Sequence, residues 1–224
     1  MPEAITWDTT GQRFYETGVD HGVLYPMSTN GTYPSGVAWN GLTGWDENPD
    51  GAEVQDLWAD NIKYATFRTP ENHKGNIKAY TYPKEFRPCM GLVSPTGAEG
   101  MVLGQQGRQA FGACYRTMKG NDVNENAGYV LHLVYNCTVS PSSMSHSTKN
   151  ENPDAVEFSW DYESTPVNVS GISGVETTST IELDSTIIPE AKMTAIENIL
   201  YGSGSTGPRL PPPGEVYTTV KGTT

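Results

Sequence analysis

Apolar residues fall into two-residue alternations over much of the 224-residue chain. Val156, Phe158, Trp160 and Tyr162 alternate with Glu157, Ser159, Asp161 and Glu163. This is the signature of a half-buried β-strand, here with three carboxylates on the wet face. Residues 128–135 are apolar on both faces, with Tyr129, Leu131, Leu133 and Tyr135 on one side and Val130 and Val134 on the other, so they predict a central strand covered twice. Phe111, Ala113 and Tyr115 alternate with Ala110, Gly112, Cys114 and Arg116, predicting a strand over 105–118 that ends at Lys119-Gly120-Asn121-Asp122.

Turn signals at Thr29-Asn30-Gly31, Pro34-Ser35-Gly36 and Asn48-Pro49-Asp50-Gly51 leave room for short strands, one around 37–42. Residues 52–67 lack Gly and Pro, 70–75 break the run, and 76–82 resume as a strand. The reading is a long hairpin whose charged, exposed tip, 69–75, carries Glu71, Asn72, His73 and Lys74. Residues 83–87 predict one helical turn. Only one strong helix is predicted, 189–201: Pro189 suits its first position, Met193, Ile196, Ile199 and Leu200 follow helical spacing, and Gly202 provides a stop. The Gly-Ser-Gly-Ser and Leu-Pro-Pro-Pro runs after it predict a flexible or extended arm over 203–224.

Composition agrees with a mainly β chain, since 24 Gly and 16 Pro favour many short strands joined by turns. The expected organisation is one domain over 1–202, carrying the helix, followed by the arm. The net charge of −12 argues against nucleic-acid binding through a basic patch. An acidic surface of this kind serves solubility in many proteins, and would also suit a wall past which DNA must slide without sticking. Cys89, Cys114 and Cys137 form an odd set without metal-ligand spacing, and read as reduced, buried thiols. Residues 1–11 lack the basic and apolar regions of a secretory leader, and no run reaches the length of a membrane helix.

Candidate chemistry is sparse. His21, His73, His132 and His146 lie far apart and read as three loop residues and one sheet residue, His132. Asp46 with Glu47, and Asp56 with Asp60, are carboxylate pairs of the kind a glycoside hydrolase needs, but spacing does not set them across a cleft. Asp154 and Glu157 would need several more oxygens to hold calcium. Gly41–Gly44 and Gly104–Gly107 lack the setting of a phosphate loop. No catalytic residue, cofactor or metal is assigned. A different class, a monomeric β-sandwich carbohydrate-binding module, would use Trp7, Trp39, Trp45 and Trp58 as sugar-stacking candidates.

Ordered blocks along the chain are more specific. They run Trp39-Asn40-Gly41-Leu42-Thr43-Gly44, Ala59-Asp60-Asn61-Ile62-Lys63-Tyr64 and Ala79-Tyr80-Thr81-Tyr82-Pro83-Lys84-Glu85-Phe86. Gly104-Gln105-Gln106, Phe111-Gly112, Tyr115-Arg116-Thr117, Gly120-Asn121-Asp122, residues 128–135 and Phe158-Ser159-Trp160 follow. In this order, from about residue 20 to about residue 217, the chain resembles the major tail proteins of siphophages, whose tails are long and non-contractile. The resemblance implies a tail-tube fold: a β-sandwich or barrel with a flanking helix, building hexameric rings that stack into a hollow tube. Each subunit would give four strands to a continuous barrel around the lumen, and loops and terminal arms would reach the next ring.

It also implies a structural virion protein, assembled in the host bacterial cytoplasm into the virion tail, through which genomic DNA passes without specific binding. Implied partners are further copies of itself, a tape-measure protein, a tail terminator and distal tail proteins. On this reading Glu157, Ser159, Asp161 and Glu163 face the lumen, and Glu71, Asn72, His73 and Lys74 meet the adjacent ring. The 23 residues after the helix are too few for the immunoglobulin-like domain that some tail-tube proteins carry.

Overall fold

The computed structural model describes residues 4–98, 100–142, 148 and 155–222. Thirteen strands occur among them: β1 (Phe14–Pro26), β2 (Val37–Ala38), β3 (Leu42–Glu47), β4 (Asp50–Gly51), β5 (Val54–Ala59), β6 (Ile62–Arg68), β7 (Glu71–Ala79), β8 (Phe111–Asn121), β9 (Gly128–Val139), β10 (Phe158–Ser164), β11 (Val167–Asn168), β12 (Thr177–Thr178) and β13 (Thr180–Asp184). Helices α1 (Glu190–Leu200) and α2 (Pro213–Lys221) close the chain, and short 3-10 turns cover Lys84–Phe86 and Pro88–Met90.

Nine strands form one antiparallel sheet in the order β2-β1-β8-β9-β10-β7-β3, with β13 also on β9 and β4 on β7. Strand β9 is the junction. One edge carries β8, whereas the other is shared by β13 along Val130–Val134 and by β10 along Cys137–Val139. This division lets β10, β7 and β3 fold across β1, β8 and β9. Ile77, Trp160 and Tyr162 from the first group share one core with Leu24, Phe111, Ala113 and Val134 from the second. The opposite face of β1, β8 and β9 packs Tyr25, Cys114, Leu131 and Leu133 against Met193, Ile196 and Leu200 of α1. The result is a mainly β, three-layer arrangement of sheet, sheet and helix.

As the alternation predicts, β9 is buried on both faces. Leu131, Leu133 and Tyr135 enter the helix-side core and Val134 the core between the sheets. Asn136, at a φ of 49°, then interrupts the alternation, so that Cys137 and Val139 also join the core between the sheets. Such an irregularity reverses the facing of every later residue.

Several boundaries differ from the sequence reading. The strand expected to stop before Lys119 continues to Asn121, because Phe14, Tyr15 and Glu16 of β1 pair with Asn121, Gly120 and Lys119. A strand expected over 37–42 is split into β2 and β3 by a turn at Asn40-Gly41. Helix α1 matches its expected place, with Pro189 and Tyr201 as its caps, and the single turn at 83–87 is followed by a second that begins at Pro88. His21 is not a loop residue: it sits at a φ of 50° in an irregularity of β1.

The C-terminal arm is neither flexible nor wholly extended. Leu210 bridges to Tyr33 and is buried, Arg209 pairs with Glu215 at 2.6 Å, and Pro213 starts α2, whose Val216 enters the helix-side core. Proline at the first helical position loses nothing, because that N–H has no partner in the helix. The Lys192 ammonium donates to the Val220 and Lys221 carbonyls and so ties α1 to the end of α2.

Candidate functional site

The outer surface of β10, β7 and β3 is the most distinctive polar face of the domain. Register places Ser159 beside Lys78, Asp161 beside Asn76 and Glu163 beside Lys74, and on the far edge Asp46 beside Asn76. Phe158, Trp160 and Tyr162 point inward to the core, so alternation turns Glu157, Ser159, Asp161 and Glu163 outward, and all four are exposed. The sequence-predicted row is therefore brought together on one face, on the side of the sandwich away from α1.

Its electrostatics are more mixed than the sequence row implies. Lys78 pairs with Asp46 at 2.7 Å and Lys74 with Asp50 at 3.0 Å. Hydrogen bonds to these carboxylates raise both lysines above the ordinary ammonium range, and the Lys74 bond is the main cause holding Asp50 low. Asn76 donates to Asp161 at 2.7 Å and accepts from Ser159 at 2.9 Å. Thr43 donates to Glu157 at 2.5 Å. Glu163 borders an open depression of about 380 Å³ together with Asp50, Lys74 and Asp161. Lys74 and Lys78 thus each have a close carboxylate partner, and among the described residues Glu157, Asp161 and Glu163 form no ion pair within 4 Å, although Glu163 and Glu157 add to the field on Lys74 and Lys78.

Glu71, Asn72, His73 and Lys74 do not form a hairpin tip. They begin β7, where Asn72 and Glu71 pair with Asp50 and Gly51, and Lys74 and His73 with Glu163 and Ser164. His73 lies 3.3 Å from the Tyr162 hydroxyl, and Lys74 belongs to the acidic face. The apparent break at Gly75 is a core position: a Cβ there would meet the Asp46 carbonyl at 2.2 Å, so only glycine fits. The missed signal was the alternation of Lys74, Asn76 and Lys78 with Gly75, Ile77 and Ala79.

The real tip is Asp60-Asn61, both at positive φ, joining β5 to β6. Such a two-residue turn matches the twist of its flanking strands. Among the described residues these strands pair only with each other, and every residue in them is exposed. Val54, Leu57, Trp58, Ile62, Tyr64 and Phe67 are consequently large apolar groups in water, with Trp58 69% and Tyr64 71% exposed.

Other sequence candidates resolve into structural roles. Trp39 is buried against Phe86 and Trp160, and Trp45 stacks on Tyr115, so neither is a sugar platform; only Trp7 and Trp58 of the four are exposed. Asp46 and Glu47 alternate to opposite faces, Glu47 accepting from Tyr115 at 2.5 Å. Asp56 pairs with Lys63 on the β5–β6 hairpin. His132 is stacked on Tyr115 at 4.6 Å, and its Nε2 is 3.0 Å from the Thr117 hydroxyl. The three cysteines are free and buried. His146 and Asp154 lie outside the described residues. Among the described residues no group of His, Cys, Asp or Glu is arranged to hold a metal, and no helix is long and apolar enough to cross a membrane.

No family model matches the chain, and no curated protein matches it by sequence. Among solved structures it is similar to a chain of the PVC sheath/tube terminator of an extracellular contractile injection system in its extended state, at 10% identity and a TM-score of 0.32, covering 80% of this chain and 99% of that one. It is also similar to a chain of the anti-feeding prophage baseplate, at 8% identity and a TM-score of 0.32, covering 80% and 97%. A third similarity is to a chain of the PVC sheath-tube complex in its extended state, at 10% identity and a TM-score of 0.28, covering 80% and 94%.

Proposed function

We propose that this chain is a structural subunit of a siphophage tail tube, which polymerises as stacked hexameric rings into the conduit for genome ejection and has no catalytic role. The observation that carries the reading is the β5–β6 hairpin. A two-stranded ribbon with both faces in water is marginal on its own, and six large exposed apolar side chains mark a surface that another protein covers. A neighbouring copy in an adjacent ring is that protein, so Trp58, Ile62 and Tyr64 replace Glu71–Lys74 as the inter-ring contact.

The acidic face fits the same reading. It lies on the sheet farthest from α1, so a ring that keeps its helices outside turns Glu157, Ser159, Asp161 and Glu163 toward the lumen. Carboxylates there repel phosphate, and pairing of Lys74 and Lys78 with Asp50 and Asp46 keeps these cations from making DNA adhere. Tape-measure, terminator and distal tail proteins complete the assembly, which forms in the bacterial cytoplasm and ends in the virion tail. Size-exclusion chromatography and negative-stain electron microscopy across a concentration series test this: hollow rings or tubes are expected, and a compact monomer that stays monomeric with tail-initiation proteins present would overturn it.

A further inference from the structure

His132 of β9 is paired in register with Tyr115 of β8 on one side and with Glu182 of β13 on the other. Its ring stacks on Tyr115 with only 4° between the two planes. A hydrogen-bond chain beside the ring fixes its tautomer. Thr117 has one hydroxyl proton and donates it to the Glu16 carboxylate of β1 at 2.8 Å, so its oxygen accepts from the His132 Nε2–H at 3.0 Å. A neutral imidazole carries one N–H, and Nδ1 is therefore a bare lone pair. That nitrogen is buried, has no hydrogen-bond partner among the described residues, and stands 3.8 Å from a Glu182 carboxylate oxygen. Two electron-rich atoms face each other there with no proton between them.

We infer that His132 and Glu182 form a proton-operated clasp: acid places a proton on Nδ1, which then donates to Glu182 and ties β13 more firmly to β9. Negative groups surround the ring. Glu16 of β1 and Glu182 of β13 flank it, Glu47 of β3 accepts from the Tyr115 hydroxyl at 2.5 Å, and Tyr162 of β10 lies beyond Tyr115. On β8, the Lys119 ammonium is held by Asp184 of β13, and Arg116 turns to the opposite face, where it pairs with Asp20. A positive imidazole also gains the π face of Tyr115. A metal ion needs three or four such ligands, whereas a proton needs only the two atoms present. Strand β13 is the place where a clasp has most effect, since β9 holds one of its sides and no described strand holds the other. By linkage, a strand that closes more firmly when protonated also holds the proton more tightly when closed.

Nitrogen-15 NMR of the full-length soluble subunit, labelled at histidine and with the His132 signals assigned through the Tyr115 ring, tests the inference. At about pH 8, above the range in which histidine ordinarily takes up a proton, Nε2 is expected to be protonated and Nδ1 bare. A neutral ring protonated on Nδ1 would overturn the proposal. Acidification should then fill Nδ1. Glu182→Ala removes a side chain that is 67% exposed, and should weaken that protonation by about threefold or more, as loss of a facing carboxylate does. Identical proton uptake in the two proteins would rule the clasp out. Hydrogen exchange reads the strand itself. After correction for intrinsic rates, and relative to the amides of α1, those of Thr180–Asp184 should exchange about fivefold more slowly at about pH 5.5 than at about pH 7.5. Glu182→Ala should abolish the difference. A difference that survives the substitution, or none in the parent, would equally sink the clasp.

Discussion

The Trp45 indole N–H donates to the Tyr162 hydroxyl at 2.9 Å, joining β3 to β10 across the intervening strand β7. The bridge is possible because Gly75 lies beneath it on β7. A Cβ at that position would sit 2.6 Å from the Tyr162 hydroxyl as well as 2.2 Å from the Asp46 carbonyl. Backbone cannot move aside as a side chain can, so Gly75→Ala is expected to destabilise the domain by about 1–3 kcal/mol, the range of an overpacked core. Urea unfolding of the soluble subunit measures this, and an unchanged midpoint would show that the bridge tolerates a wider separation.

The hairpin gives the opposite expectation, a large effect on assembly with little on stability. Trp58→Asp with Tyr64→Asp changes groups already in water, so the melting temperature should reflect a change within about 0.5 kcal/mol. Tube formation should be lost. Light scattering of concentrated protein, read beside a thermal melt, separates the two effects.

On the acidic face, changing Glu157, Asp161 and Glu163 together to Lys reverses three exposed charges that form no close ion pair among the described residues. Tubes should still assemble, while genome ejection slows at low salt and recovers as added salt screens the new phosphate contacts. Ejection kinetics that match the parent at every salt concentration would remove this face from the lumen wall.

Asp20 supplies a pH dependence. Arg116 grips it through two hydrogen bonds, each 2.8 Å, and that contact is the main reason its carboxyl titrates below the ordinary value. A depressed folded-state value means that the stabilisation is present above the unfolded value, near 3.9, and is lost as pH falls through the folded one. Stability of the parent should therefore fall more steeply below about pH 4 than that of Asp20→Asn, measured as urea midpoint against pH.

Burial pushes the Cys89 and Cys114 thiols up to about 12 and Cys137 well above its ordinary range. Thiolate is the reactive form. At pH 8 a disulfide reagent such as DTNB should label none of the three in the native subunit and all three in denaturant, and fast native labelling of any would contradict the packing around it.

Much of the fold is legible without coordinates. The strict alternation of Phe158, Trp160 and Tyr162 with Ser159, Asp161 and Glu163 assigns both a strand and its wet face, because strand side chains take turns on the two sides of a sheet. The doubly apolar 128–135 segment marks a central strand, and the spacing of Met193, Ile196 and Leu200 after Pro189 marks α1. The acidic row was legible for the same reason. The lysines that interrupt it were not, since pairing of Lys78 with Asp46 joins residues 32 positions apart on neighbouring strands.

The sequence by itself determined period and composition: which segments alternate, where a proline admits a helix, how much negative charge the surface carries. Tertiary structure alone decided which strands became neighbours and which apolar residues found cover. Gly75 reads locally as a breaker but serves as the one residue slim enough for β7 to pass under Tyr162. The Pro-rich terminus reads as a loose arm, but burial of Leu210 and Val216 folds it back as α2. Conversely, Trp58 and Trp39 have similar local standing, yet one is buried between sheets and the other left in water. Burial depends on contacts between distant segments, and no local pattern encodes those contacts.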